Sequence, residues 1–392
     1  MPPALRVRPW TRSCAVSEAP QPPPLPGRED ITVGKHACQA CGGDMVWDAA
    51  RQMLRCPFCG TQAAWSPAAP PLPGQEGIAE LDLEAALASA GQHRGWGEAS
   101  REVRCQSCQA VSVFQADRVA QRCEFCGSPS IIDHQASEEA ITPGSLLPFQ
   151  HAEGQVRDLL RRWYGSRRYA PSALKRAALT DTLHGIYLPY WTFDAHVDAR
   201  WRADAGHYYY VPVSYRDASG TTRTRMERRV RWVPASGELQ HFFDDLLQPG
   251  STGVHASLLR QIGPFPVKEL RAYSPEYVRG WTVERYQVDL PRAAQAAAMQ
   301  MDQRTRELCA GQVPGDTYRN LQVQARYSGR TFKHVLVPVW LVTYRYGRKS
   351  YQVAVNGYTG LVAGERPYSV WKIIATVLAV LLGLVVLWLL MR

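Results

Sequence analysis

The sequence contains a double cysteine knuckle written twice, first as Cys38-Gln39-Ala40-Cys41 with Cys56-Pro57-Phe58-Cys59-Gly60, then as Cys105-Gln106-Ser107-Cys108 with Cys123-Glu124-Phe125-Cys126-Gly127. In both copies 14 residues separate the knuckles, and each cysteine of the second copy lies 67 positions after its counterpart. Two CxxC knuckles can place four thiolates around one tetrahedral Zn²⁺ ion, and the glycine supplies the positive φ that wraps the backbone around the metal. The spacing predicts two small β zinc ribbons holding two structural Zn²⁺ ions, with eight ligands: Cys38, Cys41, Cys56, Cys59, Cys105, Cys108, Cys123 and Cys126.

Paired cysteines have other uses, which we weigh against zinc. Disulfides are typical of secreted proteins, whereas this sequence begins Met1-Pro2-Pro3-Ala4 without an apolar signal-peptide core. A redox CxxC requires a βαβ context, which the flanking sequence lacks. Four thiolates complete the coordination shell of zinc, so catalytic zinc is not expected. Iron in a rubredoxin-like site stays an alternative, and its visible absorbance would reveal it.

The composition indicates two or three domains with real hydrophobic cores, since 45% of the 392 residues are hydrophobic. A net charge of +10 and a pI near 9.2 permit an anionic partner such as a nucleic acid or lipid headgroups, although the basic residues are scattered. We predict a mixed, multidomain fold in this order: a disordered Pro-rich tail at 1–34, zinc ribbon 1 at 35–66, a linker with a short helix at 67–101, zinc ribbon 2 at 102–133, an α+β aromatic-rich region with antiparallel sheets at 134–368, and a single C-terminal transmembrane helix at 371–391.

The α+β region carries helix and hairpin signals and a faint internal repeat. An amphipathic helix is predicted at 155–164. A second, Ala-rich helix is predicted at 291–310, with Pro291 near its start and Gly311 at its end. The segment 335–340 resembles the segment 186–191 at an offset of 149, with Pro and Trp two residues apart in both copies. A hairpin follows each copy. The pattern indicates two related β subdomains, or else two strands with similar packing.

Arginines are interleaved with aromatic residues in the first hairpin, at 199–233. This composition is typical of surfaces that stack nucleic-acid bases, but also of exposed strands whose charges prevent aggregation, and we favour the second interpretation. A cluster of His and Asp residues leaves an enzymatic site open as an alternative, although strand alternation would scatter them over both faces: His184, His196, His207, Asp194, Asp198 and Asp204.

The C-terminus carries 19 consecutive uncharged residues, from Ile373 to Met391. As a helix this run covers about 28 Å, close to the roughly 30 Å hydrocarbon core of a bilayer, and Trp371 and Trp388 lie where aromatic belts form. Basic residues are crowded on the N-terminal side: Arg345, Arg348, Lys349, Arg366 and Lys372. The positive-inside rule therefore predicts a single-pass protein of the bacterial inner (cytoplasmic) membrane, with residues 1–372 in the cytoplasm.

Several segments together are similar to bacterial membrane-anchored tandem zinc-ribbon proteins. The resemblance covers the chain from about residue 36 onward and rests on the tandem ribbons, the terminal span, Trp96 and three motifs: Leu188-Pro189-Tyr190-Trp191-Thr192-Phe193-Asp194-Ala195, Thr331-Phe332-Lys333-His334-Val335-Leu336-Val337-Pro338-Val339-Trp340 and Val355-Asn356-Gly357-Tyr358-Thr359-Gly360. Such proteins are described as TFIIB-type zinc-ribbon proteins, or by analogy with the zinc ribbon of the primosomal restart helicase. The resemblance implies the ribbon ligands and the anchored architecture, and it suggests partners among phage-shock-type and SPFH membrane proteins in envelope stress. The helicase analogy does not extend to activity, because the sequence contains no GxxxxGK[ST] phosphate loop.

Three functions from different classes are compatible with these patterns. The favoured one is a non-enzymatic scaffold or adaptor that docks cytosolic or membrane proteins at the bilayer, where a tether raises the effective concentration. The second is a membrane-tethered nucleic-acid-binding protein, which strongly salt-dependent binding would support. The third is an enzyme with an unrecognised site in 184–207. No small-molecule substrate is predicted.

Overall fold

The computed structural model describes residues 38–49, 51–63, 78–89, 100–115, 122–134, 141–167, 169, 183–216, 218, 220–346, 349–365 and 368–391. The predicted tail at 1–34, Trp96 and most of the predicted linker lie outside these residues. The domain limits given above stay predictions.

The two cysteine-rich regions use their strands differently. In ribbon 1 the strands β1 (Val46–Asp48), β2 (Met53–Arg55) and β3 (Gln62–Ala63) form a sheet of their own. After β4 (Leu81–Asp82) and α1 (Leu83–Ala88), ribbon 2 contributes β5 (Ser100–Cys105), β6 (Val111–Gln115) and β7 (Ile131–His134). These three strands belong to the large mixed sheet of the rest of the chain.

The α+β region supplies the remaining elements, and it confirms a mixed fold with antiparallel sheets. They are β8 (Ser145–Leu146), α2 (Glu153–Gly165), β9 (Leu183–Arg216), β10 (Thr222–Pro249), α3 (Ala256–Ile262), a 3₁₀ turn (Val267–Glu269), β11 (Arg271–Ala272), α4 (Pro275–Val278), β12 (Thr282–Arg285), α5 (Leu290–Gln312), β13 (Thr317–Tyr346), β14 (Lys349–Asn356), β15 (Val362–Gly364) and α6 (Val370–Leu390). The strand order in the large sheet is β11-β8-β13-β9-β12-β6-β5-β7, with β10 also paired to β9 and β14 also paired to β13.

Helix α5 forms where the sequence predicts a helix, and it extends slightly beyond the predicted limits. Asp289 accepts a hydrogen bond from the backbone N–H of Arg292 and caps the N-terminus, and Pro291 occupies the first turn. Its buried residues recur at helical spacing: Leu290, Ala293, Ala297, Met301, Thr305 and Cys309. This face lies against β9, β10 and β13, so the small residues allow a close approach between helix and sheet.

The long strands β9 and β13 change character along their length. From Ile186 to Phe193 consecutive residues of β9 are buried on both faces, whereas from Ala195 to Ala205 buried and more exposed residues mostly alternate. A strand covered on both faces is continuously apolar, and a strand covered on one face alternates. Helix α5 therefore covers one face of this second part, and the other face is open.

The repeat at an offset of 149 lies on neighbouring strands. Strands β9 and β13 pair antiparallel, and Leu188 stands directly opposite Val337, its own equivalent at that offset. The pairing is therefore symmetric about this residue pair, with Ile186 opposite Val339 and Tyr190 opposite Val335. A local pseudo-two-fold axis passes through the pair and relates β8-α2-β9-β10 to β12-α5-β13-β14.

Hydrogen bonds repeat across this axis with matched partners. The backbone N–H of Gly250 donates to the Pro189 carbonyl (2.9 Å), and that of Gly357 donates to the Pro338 carbonyl (2.9 Å). The indole N–H groups of the repeated tryptophans also match. Trp191 donates to the Val288 carbonyl at 2.9 Å, and Trp340 donates to the His151 carbonyl at 3.0 Å. The shared Pro-x-Trp pattern thus marks one structural role used twice.

Candidate metal centres

Each group of four cysteines converges on one point. In ribbon 1 the Sγ atoms of Cys38 and Cys59 lie 3.4 Å apart, as do those of Cys41 and Cys56. In ribbon 2 the distances are 3.6 Å for Cys105 and Cys126, and 3.5 Å for Cys108 and Cys123. Within each group all four sulfur atoms lie within 4.8 Å of one another.

These distances fit a metal ion and do not fit disulfides. A disulfide requires about 2.05 Å between sulfur atoms, and the described cysteines are free. A tetrahedral Zn²⁺ with bonds of about 2.3 Å requires about 3.8 Å between ligands, slightly more than observed. Each group can therefore hold one tetrahedral ion such as Zn²⁺ after a small expansion.

The four knuckles share one backbone turn, which explains how the sequence positions the sulfur atoms. The first cysteine of each knuckle accepts a hydrogen bond from the N–H four residues later, and its own N–H donates to the carbonyl five residues later. The residue that directly follows the second cysteine has positive φ in every knuckle: Gly42, Gly60, Gln109 and Gly127. The glycines at positions 60 and 127 predict this conformation from the sequence. Gln109 has the same conformation without being glycine, and its side-chain amide donates a hydrogen bond to the Gln106 carbonyl.

The electrostatics of the clusters favour a bound cation. The Thr61 hydroxyl, 3.0 Å from the sulfur of Cys59, lowers the pKa of that thiol to about 6. The backbone N–H of Gly43 favours the thiolate of Cys41, yet the neighbouring thiols of Cys59 and Cys56 raise the pKa of Cys41 to about 12. Four thiolates cannot ionise together at this separation without a compensating charge, and a divalent ion supplies it.

The two ribbons differ most at the phenylalanine of the second knuckle. Phe58 in ribbon 1 is 79% exposed, whereas its equivalent Phe125 in ribbon 2 is 0% exposed. The Phe125 carbonyl accepts hydrogen bonds from the Thr343 hydroxyl (2.5 Å) and from the Gln352 amide (3.1 Å), and both donors belong to the β13/β14 hairpin. Ribbon 2 is therefore docked on the sheet through the same knuckle that ribbon 1 leaves open.

Buried charged groups fix ribbon 2 to the sheet, and sequence reasoning did not find them. The Arg285 guanidinium donates to both carboxylate oxygens of Glu102, at 2.7 and 2.6 Å, and both side chains are buried. This pair joins β12 to β5 across β6. Beside it, burial raises the pKa of the Glu284 carboxyl to about 8, although Ser251, Gln287 and the backbone of Gly253 favour its ionised form. An isolated Glu or Arg in a β-rich sequence carries no signal of such a partner.

Ribbon 1 packs on the α+β region through a hydrophobic core that the two share. Its members in this core are Cys38, Met45, Trp47, Ala49, Leu54 and Cys56. The Trp47 ring meets Tyr277 edge-to-face at 4.7 Å between centroids, and the Gln52 amide donates to the Phe149 carbonyl at 2.6 Å. An open cleft of about 540 Å³ lies beside this contact, lined among others by Asp48, Glu124 and His184. The contact is thus a shared apolar core, and the side of it that faces the cleft is accessible.

The predicted His and Asp cluster does not converge. Asp204 pairs with Arg319 (3.1 Å), whereas the Thr331 hydroxyl donates to Asp194 (3.1 Å) beside Lys333. The others are dispersed along β9: His184 lines the cleft beside ribbon 1, His196 lies against Phe242, and Asp198 and His207 occupy further positions on the strand.

Helix α6 is the second predicted feature that the structure shows. It has 21 residues, a mean hydropathy of 3.0 over its most apolar stretch, and no buried residues. By length and composition it can span a membrane.

Comparison with known proteins gives one informative similarity. No family model matches this chain, and no solved structure matches it. The chain is similar to YdjG, an uncharacterized protein of Bacillus subtilis (strain 168), at 25% identity over 357 residues that cover 87% of this chain and 92% of the relative. The similarity therefore extends over nearly the whole length of both proteins.

Proposed function

We propose that this chain is a non-enzymatic scaffold of the bacterial inner membrane, anchored by α6, whose zinc ribbons dock partner proteins on the cytoplasmic side. Zinc is the metal we propose for both cysteine groups, because four thiolates in a tetrahedron suit Zn²⁺ and cytosolic thiols stay reduced. The four ligands fill the coordination shell, which supports a structural role for the metal rather than a catalytic one.

The observation that carries the proposal is the contrast between Phe58 and Phe125. Ribbon 2 demonstrates within this molecule how a knuckle docks: its phenylalanine enters an apolar site, and its carbonyl accepts side-chain hydrogen bonds. Ribbon 1 presents the equivalent phenylalanine to solvent at 79% exposure. A large exposed aromatic side chain on a rigid metal-bound turn is typical of a protein-docking anchor.

The anchor and its flanking charges support the proposed location. Basic residues lie on the N-terminal side of α6, so the positive-inside rule favours a cytoplasmic location for the ribbons. Phage-shock-type or SPFH membrane proteins are the partners that the family resemblance suggests, and docking them beside the bilayer would raise their effective concentration there.

The proposal is tested by crosslinking and capturing the full-length protein from membranes. We expect Phe58→Ala to lose a phage-shock-type or SPFH partner while both metal ions are retained. Phe242→Ala is the matched control, because Phe242 is also exposed (45%) but lies on β10, away from the ribbons. Partner recovery that is unchanged by Phe58→Ala would contradict docking through this knuckle.

A further inference from the structure

A two-stranded arm extends from the large sheet. It consists of residues 207–216 of β9 and 222–231 of β10, which we call the β-arm. Strand β13 begins opposite Gly206, and α5 ends at Gln312, which accepts a hydrogen bond from the Trp201 indole. Beyond Gly206 the two strands pair only with each other in the described part of the chain. At about 3.3 Å per residue the β-arm is about 33 Å long. None of its residues is buried, so no helix among the described residues covers either face.

The β-arm is strongly basic. Six arginines lie on it and all are exposed: Arg216, Arg223, Arg225, Arg228, Arg229 and Arg231. Among its described residues Glu227 is the one acidic side chain, and it lies 3.7 Å from Arg229 and 4.0 Å from Arg225. Asp217, at the turn, lies outside the described residues. The charge of the β-arm therefore attracts an anion.

Tyrosines accompany the arginines on both faces. The Arg228 guanidinium lies 4.4 Å from the centroid of the Tyr208 ring, and that of Arg225 lies 5.6 Å from the Tyr215 ring. Tyr209 and Tyr210 are also exposed, at 44% and 60%. Stacking on tyrosine restricts the arginine side chains, so less conformational entropy is lost when they bind a ligand.

We propose that the β-arm binds the phosphate backbone of a nucleic-acid duplex. A two-stranded antiparallel ribbon fits the major groove of B-DNA, which is about 12 Å wide, and guanidinium groups match phosphate oxygens bidentately. Side chains on one face of a strand recur every ~6.8 Å, which equals two phosphate steps of ~3.4 Å along the duplex axis. Arginines at 223, 225, 229 and 231 share one face of β10 and present this repeat.

Nucleic acids and lipid headgroups both carry phosphate groups, so the chemistry of the β-arm fits either ligand. The position of the β-arm in the fold distinguishes between them. The chain leaves the sheet toward α6 beside Tyr344, whose hydroxyl donates to the Glu365 carbonyl. From Thr317, at the base of the β-arm, to Tyr344 the strand β13 advances by 27 residues, which is at most about 90 Å because two register shifts interrupt the strand. The β-arm and the anchor therefore lie at opposite ends of the long strands, which favours a polyanion in solution over the anchoring bilayer.

The test measures binding of the full-length protein, in neutral detergent, to a fluorescent random-sequence DNA duplex between about 50 and 200 mM salt. We expect tight binding at low salt and a steep decline as salt rises. The triple variant Arg225→Gln/Arg229→Gln/Arg231→Gln should lower the slope of log K against log[salt] by about 3, because each phosphate contact contributes about 0.9.

The matched control is Arg292→Gln/Arg304→Gln/Arg306→Gln, which removes the same charge from exposed positions on α5. It should leave the slope unchanged. Four results would each overturn the proposal: absence of binding at low salt, equal losses in the two triple variants, displacement of the duplex by polyglutamate at equal charge, or binding of anionic vesicles that depends on the β-arm arginines. A thermal melt of both variants checks that they fold.

Discussion

Ribbon 1 and ribbon 2 are the same four-cysteine module in two different settings. Both hold four cysteines on matched turns, yet ribbon 1 is a separate three-stranded sheet while ribbon 2 is part of the large sheet through β6 and β12. The knuckle phenylalanine is exposed in the first and buried in the second. The difference teaches that the second knuckle of this module can either enter a core or remain on the surface, and that its neighbours decide which.

The largest expected effect comes from removing a metal ligand in each ribbon. Cys123→Ser should lower the metal content from two ions to one and destabilise the large sheet, because ribbon 2 contributes three of its strands. Cys38→Ser should lose one ion as well, but unfold mainly ribbon 1. Apparent metal-binding free energies of structural sites reach about 10–16 kcal/mol, so either loss exceeds any single contact discussed below. Metal analysis of the full-length variants measures the ion content, and hydrogen exchange measures the stability of each strand. Equal exchange rates in β9 and β13 of the two variants would contradict the predicted difference between the ribbons.

The knuckle phenylalanines give the sharpest contrast in stability. Phe125→Ala removes a fully buried aromatic side chain and should lower the free energy of unfolding by about 3–5 kcal/mol. Phe58→Ala removes an exposed side chain and should change it by less than about 0.5 kcal/mol. Urea denaturation measures both. A comparable loss in the two variants would mean that ribbon 1 is packed as tightly as ribbon 2.

The Glu102–Arg285 ion pair is expected to stabilise the packing of ribbon 2 on the large sheet. Glu102→Gln leaves a buried guanidinium without its charge partner, and breaking such a pair costs about 3 kcal/mol. The double variant Glu102→Leu/Arg285→Met removes both charges and should recover most of this loss. Failure of the double variant to regain stability would assign the cost to lost packing rather than to the unpaired charge.

The stability of the fold is expected to depend on pH through Glu284, which lies close to Gly253 and Phe125 where ribbon 2 packs on the sheet. Its equivalent across the pseudo-two-fold axis, Leu147, has no charge. Since the folded-state pKa is raised to about 8, the unfolded chain ionises first as pH rises from about 4.5, and this group progressively destabilises the fold until about pH 8. Glu284→Gln should therefore gain stability relative to the unmodified chain as pH rises through this window. If the free energy of unfolding of the two proteins changes with pH in the same way, the pKa of Glu284 is not raised in the folded state.

Local sequence signals predicted the elements that depend on local chemistry. The eight cysteines, helix α5 and the apolar helix α6 all follow from spacing and periodicity, and the structure places them where the patterns indicate. The different fates of Phe58 and Phe125 could not be predicted, because identical Cys-x-Phe-Cys motifs surround them and only distant residues such as Gln352 distinguish them. The repeat at an offset of 149 was visible in sequence, but the direct pairing of its copies was not, since strand register depends on contacts far apart in the chain.

The smallest expected effect concerns two glutamines that attach the ribbons in opposite directions. Gln52 of ribbon 1 donates to a carbonyl of the α+β region, whereas Gln352 of the large sheet donates to a carbonyl of ribbon 2. Replacing either by Leu removes two hydrogen bonds, because Gln52 also donates to the Ala49 carbonyl and Gln352 to the Gly253 carbonyl. Each hydrogen bond is worth about 1 kcal/mol. Because β1–β3 form a sheet of their own, Gln52→Leu should accelerate hydrogen exchange most in β1–β3. Gln352→Leu should instead lower the stability of the whole sheet, since ribbon 2 has no independent sheet to retain. Equal exchange in β9 of the Gln52 and Gln352 variants would show that the stability of the large sheet depends on both ribbons alike.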